Sequence, residues 1–167
     1  MKRHLSLVSL SREHHSGLVM AQGLILGQSK APRSDWPTDR RQQVVRVLTF
    51  FEANLQKHFE AEEEHLFPRV IEHLSGEGVL ICQLRAEHDD MRGRIRAFER
   101  DPTTNLGERL SAFGERLKAH IRKEEHLLFE RIQRLMEPAV LEAIGVGLRQ
   151  FSARETNGPS CRILSHP

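Results

Sequence analysis

Two stretches of the chain place a histidine four residues ahead of a glutamate pair. The first is His58-Phe-Glu-Ala-Glu62-Glu63, and sixty-two residues later comes His120-Ile-Arg-Lys-Glu124-Glu125. Both run on into Leu-Phe (Leu66-Phe67, Leu128-Phe129) and an arginine (Arg69, Arg131), and each is preceded by a Glu-His dipeptide, Glu13-His14 or Glu87-His88. Residues four apart on a helix share a face, with Cβ atoms about 5–6 Å apart. His58 and Glu62 can therefore reach one point, as can His120 and Glu124, while His14 and His88 supply one further imidazole each. Imidazole with carboxylate is a ligand set for iron, manganese or zinc, and two shared carboxylates suit two ions about 3.5–4 Å apart.

The elements that must carry these groups are helices. Leu, Arg, Glu and Ala abound, there is no Tyr and one Trp, a balance that favours helix over strand. The first helix is expected from an N-cap at Ser9 or Ser11 to about Gly27, with His14, Leu18, Ala21 and Ile25 on one stripe. His15 falls on a more polar stripe. Residues 29–38 hold Pro32 and Pro37 and read as a loop, with Trp36 packing down onto the helices. The second helix starts near Thr38–Asp39 and carries Val44, Leu48, Phe51, Leu55, His58, Glu62 and Leu66 on one face. Pro68 lacks an amide donor and should end or kink it. The third carries Leu84, His88, Met91, Ile95 and Phe98. The fourth is expected to open with a capping box, Asn105 with Glu108, and to align Leu110, Phe113, Leu117, His120, Glu124, Leu128 and Ile132. Pro138 suits the first position of a fifth, shorter helix ending near Phe151. The expected architecture is all-α: an up-down-up-down four-helix bundle with a short fifth C-terminal helix, spanning 1–151, and a loose tail over 152–167.

On all four long helices the histidines and glutamates stand where the period demands Leu or Ile. Burying a carboxylate without a partner costs on the order of several kcal/mol. No Lys or Arg lies on the inward stripes to neutralise Glu62 and Glu124, so the compensating charge is expected from metal ions or from the histidines themselves. The net charge of +2 is too small to argue for nucleic acid, and Arg92, Arg94, Arg96 and Arg100 spread over several faces among acidic residues. No apolar run approaches membrane-spanning length. Two cysteines, Cys82 and Cys161, make no disulfide framework, which points to a reducing, cytoplasmic setting.

The ordered set Glu13-His14, His58-x-x-x-Glu62-Glu63 with Leu66-Phe67-Pro68, Glu87-His88 and His120-x-x-x-Glu124-Glu125 resembles the hemerythrin-like domains of the HHE cation-binding family, over Ser9 to about Met136. The resemblance implies a non-haem di-iron centre with an oxo, hydroxo or water bridge, binding O2 or a related diatomic. Iron, rather than manganese or zinc, comes from the resemblance alone. It implies His14, His58, His88 and His120 as terminal ligands and Glu62 and Glu124 as bridges. Two departures stand out. Oxygen-carrying hemerythrins resemble His-x-x-x-His on the third helix, where this chain follows His88 with Arg92, and His-x-x-x-x-Asp on the fourth, where it offers Glu124 or Glu125. Both point away from reversible O2 carriage and toward iron- or oxygen-sensing branches.

His15 and His65 are candidates for an additional ligand. Glu63, Glu64 and Glu125 read as a solvated face, with a role in holding a ligand imidazole as the alternative. The leading function is binding or sensing of O2, iron or nitric oxide by a monomer or homodimer. A di-iron enzyme acting on peroxide or nitric oxide ranks second, because no catalytic acid, base or nucleophile stands out beside the metal set. A metal-free interaction module, its histidines protonated against the glutamates, ranks third.

Overall fold

The computed structural model describes residues 3–28 and 35–156, so most of the 29–38 loop, Cys161 and the chain beyond 156 lie outside it. Five helices make up the described residues: α1 (Val8–Leu26), α2 (residues 40–73), α3 (Gly78–Arg100), α4 (residues 106–135) and α5 (Pro138–Thr156). The chain is all-α, with α1 to α4 forming the bundle and α5 packed outside it.

The ends of these helices have identifiable causes. A 3-10 turn, Leu5–Leu7, leads into α1, and its cap is His4, whose Nδ1 accepts the Ser6 N–H; neither Ser9 nor Ser11 serves as the cap. Gly27, at φ 68°, ends α1 in the left-handed conformation that favours glycine. Asp39 caps α2 by accepting from the Arg41 and Gln42 amides at 2.8 and 3.0 Å. The expected capping box on α4 does not form. Asn105 is itself left-handed (φ 48°) and makes no side-chain cap. The chain reversal is built instead by Asp101, whose Oδ1 accepts from the Thr103 and Thr104 amides. Pro138 opens α5 as expected, and that helix continues past Phe151 to Thr156.

α2 does not stop at Pro68. Three π turns interrupt the regular winding, at Phe51–Leu55 and Glu62–Leu66 on α2 and at Glu124–Leu128 on α4. In each the closing bond spans five residues, as from the Phe67 N–H to the Glu62 carbonyl and from the Phe129 N–H to the Glu124 carbonyl. Pro68 follows directly, where the ladder is already changing step, and Arg85 donates to the Glu63 carbonyl at 3.3 Å. The extra residue per turn has a packing consequence that plain 3.6-residue periodicity misses. Glu62, Leu66 and Phe67 all face inward, and so do Glu124, Leu128 and Phe129.

The apolar interior falls into two clusters. One gathers Leu66, Phe67, Leu84, Phe129 and Ile132 with Leu141, Ile144 and Leu148 of α5. The other gathers Leu24, Val47, Phe59, Phe98, Phe113 and Ile121. Val47 takes the buried place on α2 that the stripe assigned to Leu48, which is only half-buried. Trp36 lies over α1 as expected, close enough that a Cβ at Gly23 would come within 2.5 Å of its ring. No helix among the described residues is long and apolar enough to cross a membrane.

α1 and α4 cross closely because small residues let them. A Cβ on Gly114 would lie 2.8 Å from the Ala21 carbonyl oxygen and 3.2 Å from the Leu24 Cβ. Gly114→Val is expected to destabilise the protein by about 1–3 kcal/mol through overpacking, seen as a lower urea midpoint with an unchanged slope.

Candidate metal centre

Between the two apolar clusters lies a polar layer. His14 from α1, His58 and Glu62 from α2, His88 from α3, and His120 and Glu124 from α4 are all buried. The structure brings all six together. His14, His58, Glu62 and Glu124 form one group and Glu62, His88, His120 and Glu124 another, with candidate ligand atoms within 4.8 Å of one another in each. The two carboxylates are shared. Glu62 directs Oε1 to His58 (3.5 Å) and His14 (3.9 Å) and Oε2 to His88 (3.5 Å). Glu124 directs Oε2 to His14 (3.1 Å) and Oε1 to His120 (3.3 Å). The Nε2 atoms of His14 and His58 stand 3.0 Å apart, as do those of His88 and His120. Among the alternatives left by the sequence, Glu124 faces inward and Glu125 does not. His15 is exposed, and His65 turns away toward Phe151 of α5.

Every inward Nε2 is matched by an Nδ1–H that donates outward to a carboxylate. His58 donates to Glu13 (2.6 Å), His14 to Glu125 (2.7 Å), His88 to Glu63 (2.7 Å) and His120 to Glu87 (2.9 Å). This fixes the tautomer that points Nε2 at the centre. Glu63 and Glu125 thus hold imidazoles instead of forming a solvated face. Glu13 and Glu87 carry the same task, for which the repeated Glu-His dipeptide was the available signal: each glutamate holds the histidine of the neighbouring helix, not its sequence neighbour. A third layer of cations backs three of these carboxylates. Arg92 grips Glu63 through two bonds of 3.0 and 3.1 Å, Arg3 pairs with Glu125, and Lys123 pairs with Glu87. Arg92 is therefore no surface charge, and it occupies the helix position one turn beyond His88. Nothing in the sequence marked Arg3, more than a hundred residues from its partner.

Aromatic rings close the layer above and below. Phe59 stacks on His88 with centroids 3.9 Å apart, Phe67 stacks on His88 from 5.7 Å, and Phe129 lies over His14 at 5.4 Å. Four of the rings expected in the core, Phe67, Phe98, Phe113 and Phe129, are fully buried and Phe51 nearly so; Phe59, next to a ligand candidate, is the one that touches the site most closely.

The electrostatics show what the layer lacks. Glu62 and Glu124 are 0 % exposed, and none of their four oxygens accepts a hydrogen bond of good geometry. Buried carboxylates in this state need a cation. Without one, the histidines supply it. Burial opposes a charged His14, but the close Glu124 carboxylate and the hydrogen bond to Glu125 outweigh it and raise its pKa from 6.5 to about 10. His120 likewise rises to about 9 against its burial, held up by the charge of Glu124, and His88 rises against its burial beside Glu62 and Glu63. Burial disfavours a charged Glu124, yet His120 and His14 draw its pKa well below the usual range. Outside, Glu63 and Glu125 are each drawn down to about 2 despite partial burial, by His88 and Arg92 and by His14 and Ser11. The donor set fits a pair of divalent or trivalent ions. It offers four neutral-capable imidazole nitrogens, two double-ended carboxylates and an oriented outer shell.

Comparison with known proteins agrees with this construction. Residues 6–132, three-quarters of the chain, match the family described as "Hemerythrin HHE cation binding domain". No curated relative and no solved structure matches significantly. The four-helix frame, the paired His-x-x-x-Glu stretches inside it and the match over most of its length make this chain a member of the hemerythrin HHE cation-binding family.

Proposed function

We propose that this protein holds two iron ions, one between His14 and His58 and one between His88 and His120, with Glu62 and Glu124 shared by both, and that the centre binds or senses O2 or a related small molecule such as nitric oxide. The single observation that supports this most strongly is the pair of fully buried carboxylates with all four oxygens unsatisfied. Imidazole and carboxylate together suit iron, manganese or zinc, and iron is preferred because of the family. When bound, iron in this set supplies reversible redox chemistry and affinity for small diatomic ligands. The protein's own groups do the remainder. Glu13, Glu125, Glu63 and Glu87 fix the imidazole orientations, and Phe59, Phe67 and Phe129 keep water from the layer. The pair of cysteines, one of them exposed, suits a reducing cytoplasm.

Purified protein should contain about two metal ions per chain, read by elemental analysis alongside optical spectra of anaerobic and aerated samples. Glu62→Ala and Glu124→Ala should each cut that content by half or more. Full metal content in both variants, or none in the wild type supplied with ferrous iron, defeats the proposal. Glu87→Gln leaves the inner six intact but weakens the hold on His120, so metal affinity should fall about 10–100-fold, measured by competition with a chelator.

Protons and metal compete for the same Nε2 atoms, and the sign follows from the raised imidazoles. In the metal-free protein the charged form of His14 is favoured by folding; that contribution is complete below pH 6.5 and lost as the pH rises through about 10. Metal requires the neutral ring, so its affinity moves the opposite way and should climb with pH from neutrality to about 10. Uptake at pH 7 should release protons, visible as a binding enthalpy that varies with the ionisation enthalpy of the buffer. An affinity that is flat above pH 7 would contradict the assignment.

A further inference from the structure

The two halves of the bundle are near-duplicates at the centre but not around it. On the α3–α4 side the space outside His120 is closed by charge. Arg116, four residues before His120, bonds Asp90 at 2.9 Å and lies 3.9 Å from Glu87, which Lys123 also holds. Glu87 is left 15 % exposed. On the α1–α2 side the matching positions carry Asn54, four residues before His58, with Ser16 in place of Asp90 and Ala61 in place of Lys123. Glu13, the counterpart of Glu87, is 46 % exposed. The π turn Phe51–Leu55, which carries Asn54, has no counterpart on α4.

Two cavities occupy the space so released. The inner one, about 50 Å³, is walled by Leu55, Phe59, Leu117 and Ile121 and ends on His14, His58 and His120. The outer one, about 290 Å³, opens between α2 and the end of α5, bounded by Lys57, Phe151 and Ser152. They share Glu13, Asn54 and His58 as lining residues.

We propose that these cavities form one passage, that small neutral molecules reach the centre through it, and that Asn54 and Glu13 are its neck, while Arg116 and Lys123 keep the equivalent route on the other half shut. The neutral class follows from the walls. The inner cavity is apolar, and an anion would have to pass the Glu13 carboxylate held on His58 at 2.6 Å. Access is therefore one-sided even though the inner ligand set is nearly symmetric. The route itself stands on protein atoms alone; delivery of a ligand to a metal rests on the function proposed above.

Two measurements separate these. Xenon binds small apolar cavities, so xenon-pressurised crystals or 129Xe NMR should show one site against Leu55 and Leu117, whatever the metal content. Leu55→Phe should abolish it. In the reduced, iron-loaded protein, stopped-flow mixing with nitric oxide should be at least about tenfold slower for Leu55→Phe and for Asn54→Arg, with iron content unchanged. Asn54 is exposed, so the latter variant keeps the core intact. Arg116→Asn should leave the rate equal to wild type or raise it. No xenon in the wild type, or wild-type association rates in both α2 variants, overturns the passage. Failure to load iron overturns the proposed function instead, and the xenon result then stands by itself.

Discussion

Two ionisable carboxylates at the middle of an oily bundle set the terms for everything around them. Glu62 and Glu124 are each shared between two pairs of imidazoles, and among the described residues their ion pairs are with histidine alone. The surrounding residues are arranged in successive shells of alternating charge. Acid sits at the centre and imidazole around it, then acid again (Glu13, Glu63, Glu87, Glu125), and finally guanidinium and ammonium at the rim (Arg3, Arg92, Lys123). Each shell is there because the one inside it would otherwise be unbalanced. A cation at the core completes the alternation, and in its place only protons on the imidazoles can do so.

The geometry that presents these groups is a small departure from regular helix. A π turn begins at each shared glutamate, and its extra residue allows Leu66 with Phe67, and Leu128 with Phe129, to be buried together beyond the site. A continuous α-helix would turn one member of each pair toward solvent. The cost of the widened turn is small next to the apolar area that it lets the bundle bury.

Much of this was legible in the residues. The repeated His-x-x-x-Glu, the Glu-His dipeptides and the apolar stripes located all six inward groups and four of the helices, because burial periodicity is a strong signal over long helices. It favoured His14 over His15, but left Glu124 and Glu125 as alternatives that only the burial of Glu124 separates. What remained hidden was of another kind. Which glutamate holds which histidine depends on how helices are paired across the bundle: Glu13 serves His58, and Glu87 serves His120. Arg92 read as ordinary surface charge and Arg3 carried no signal, since a sequence does not reveal that a long side chain reaches inward along a neighbour. The π turns escaped because hydrogen-bond step is not encoded in hydropathy, and Pro68 was therefore read as an end or a kink. The cap on α4 failed because Asn105 adopts a left-handed backbone, which leaves Asp101 to organise the turn.

The division of the interior into two apolar clusters on either side of the polar layer has a mechanical meaning. The helices run through both clusters, but side-chain packing between them is interrupted by a disc of charge. Each drop of oil can tighten or loosen with little direct word from the other. Ions held by these six side chains would clamp all four helices at the same height and act as the rivet through which the two ends of the molecule share strain. Melting as a single unit is then a property of the loaded protein more than of the polypeptide itself.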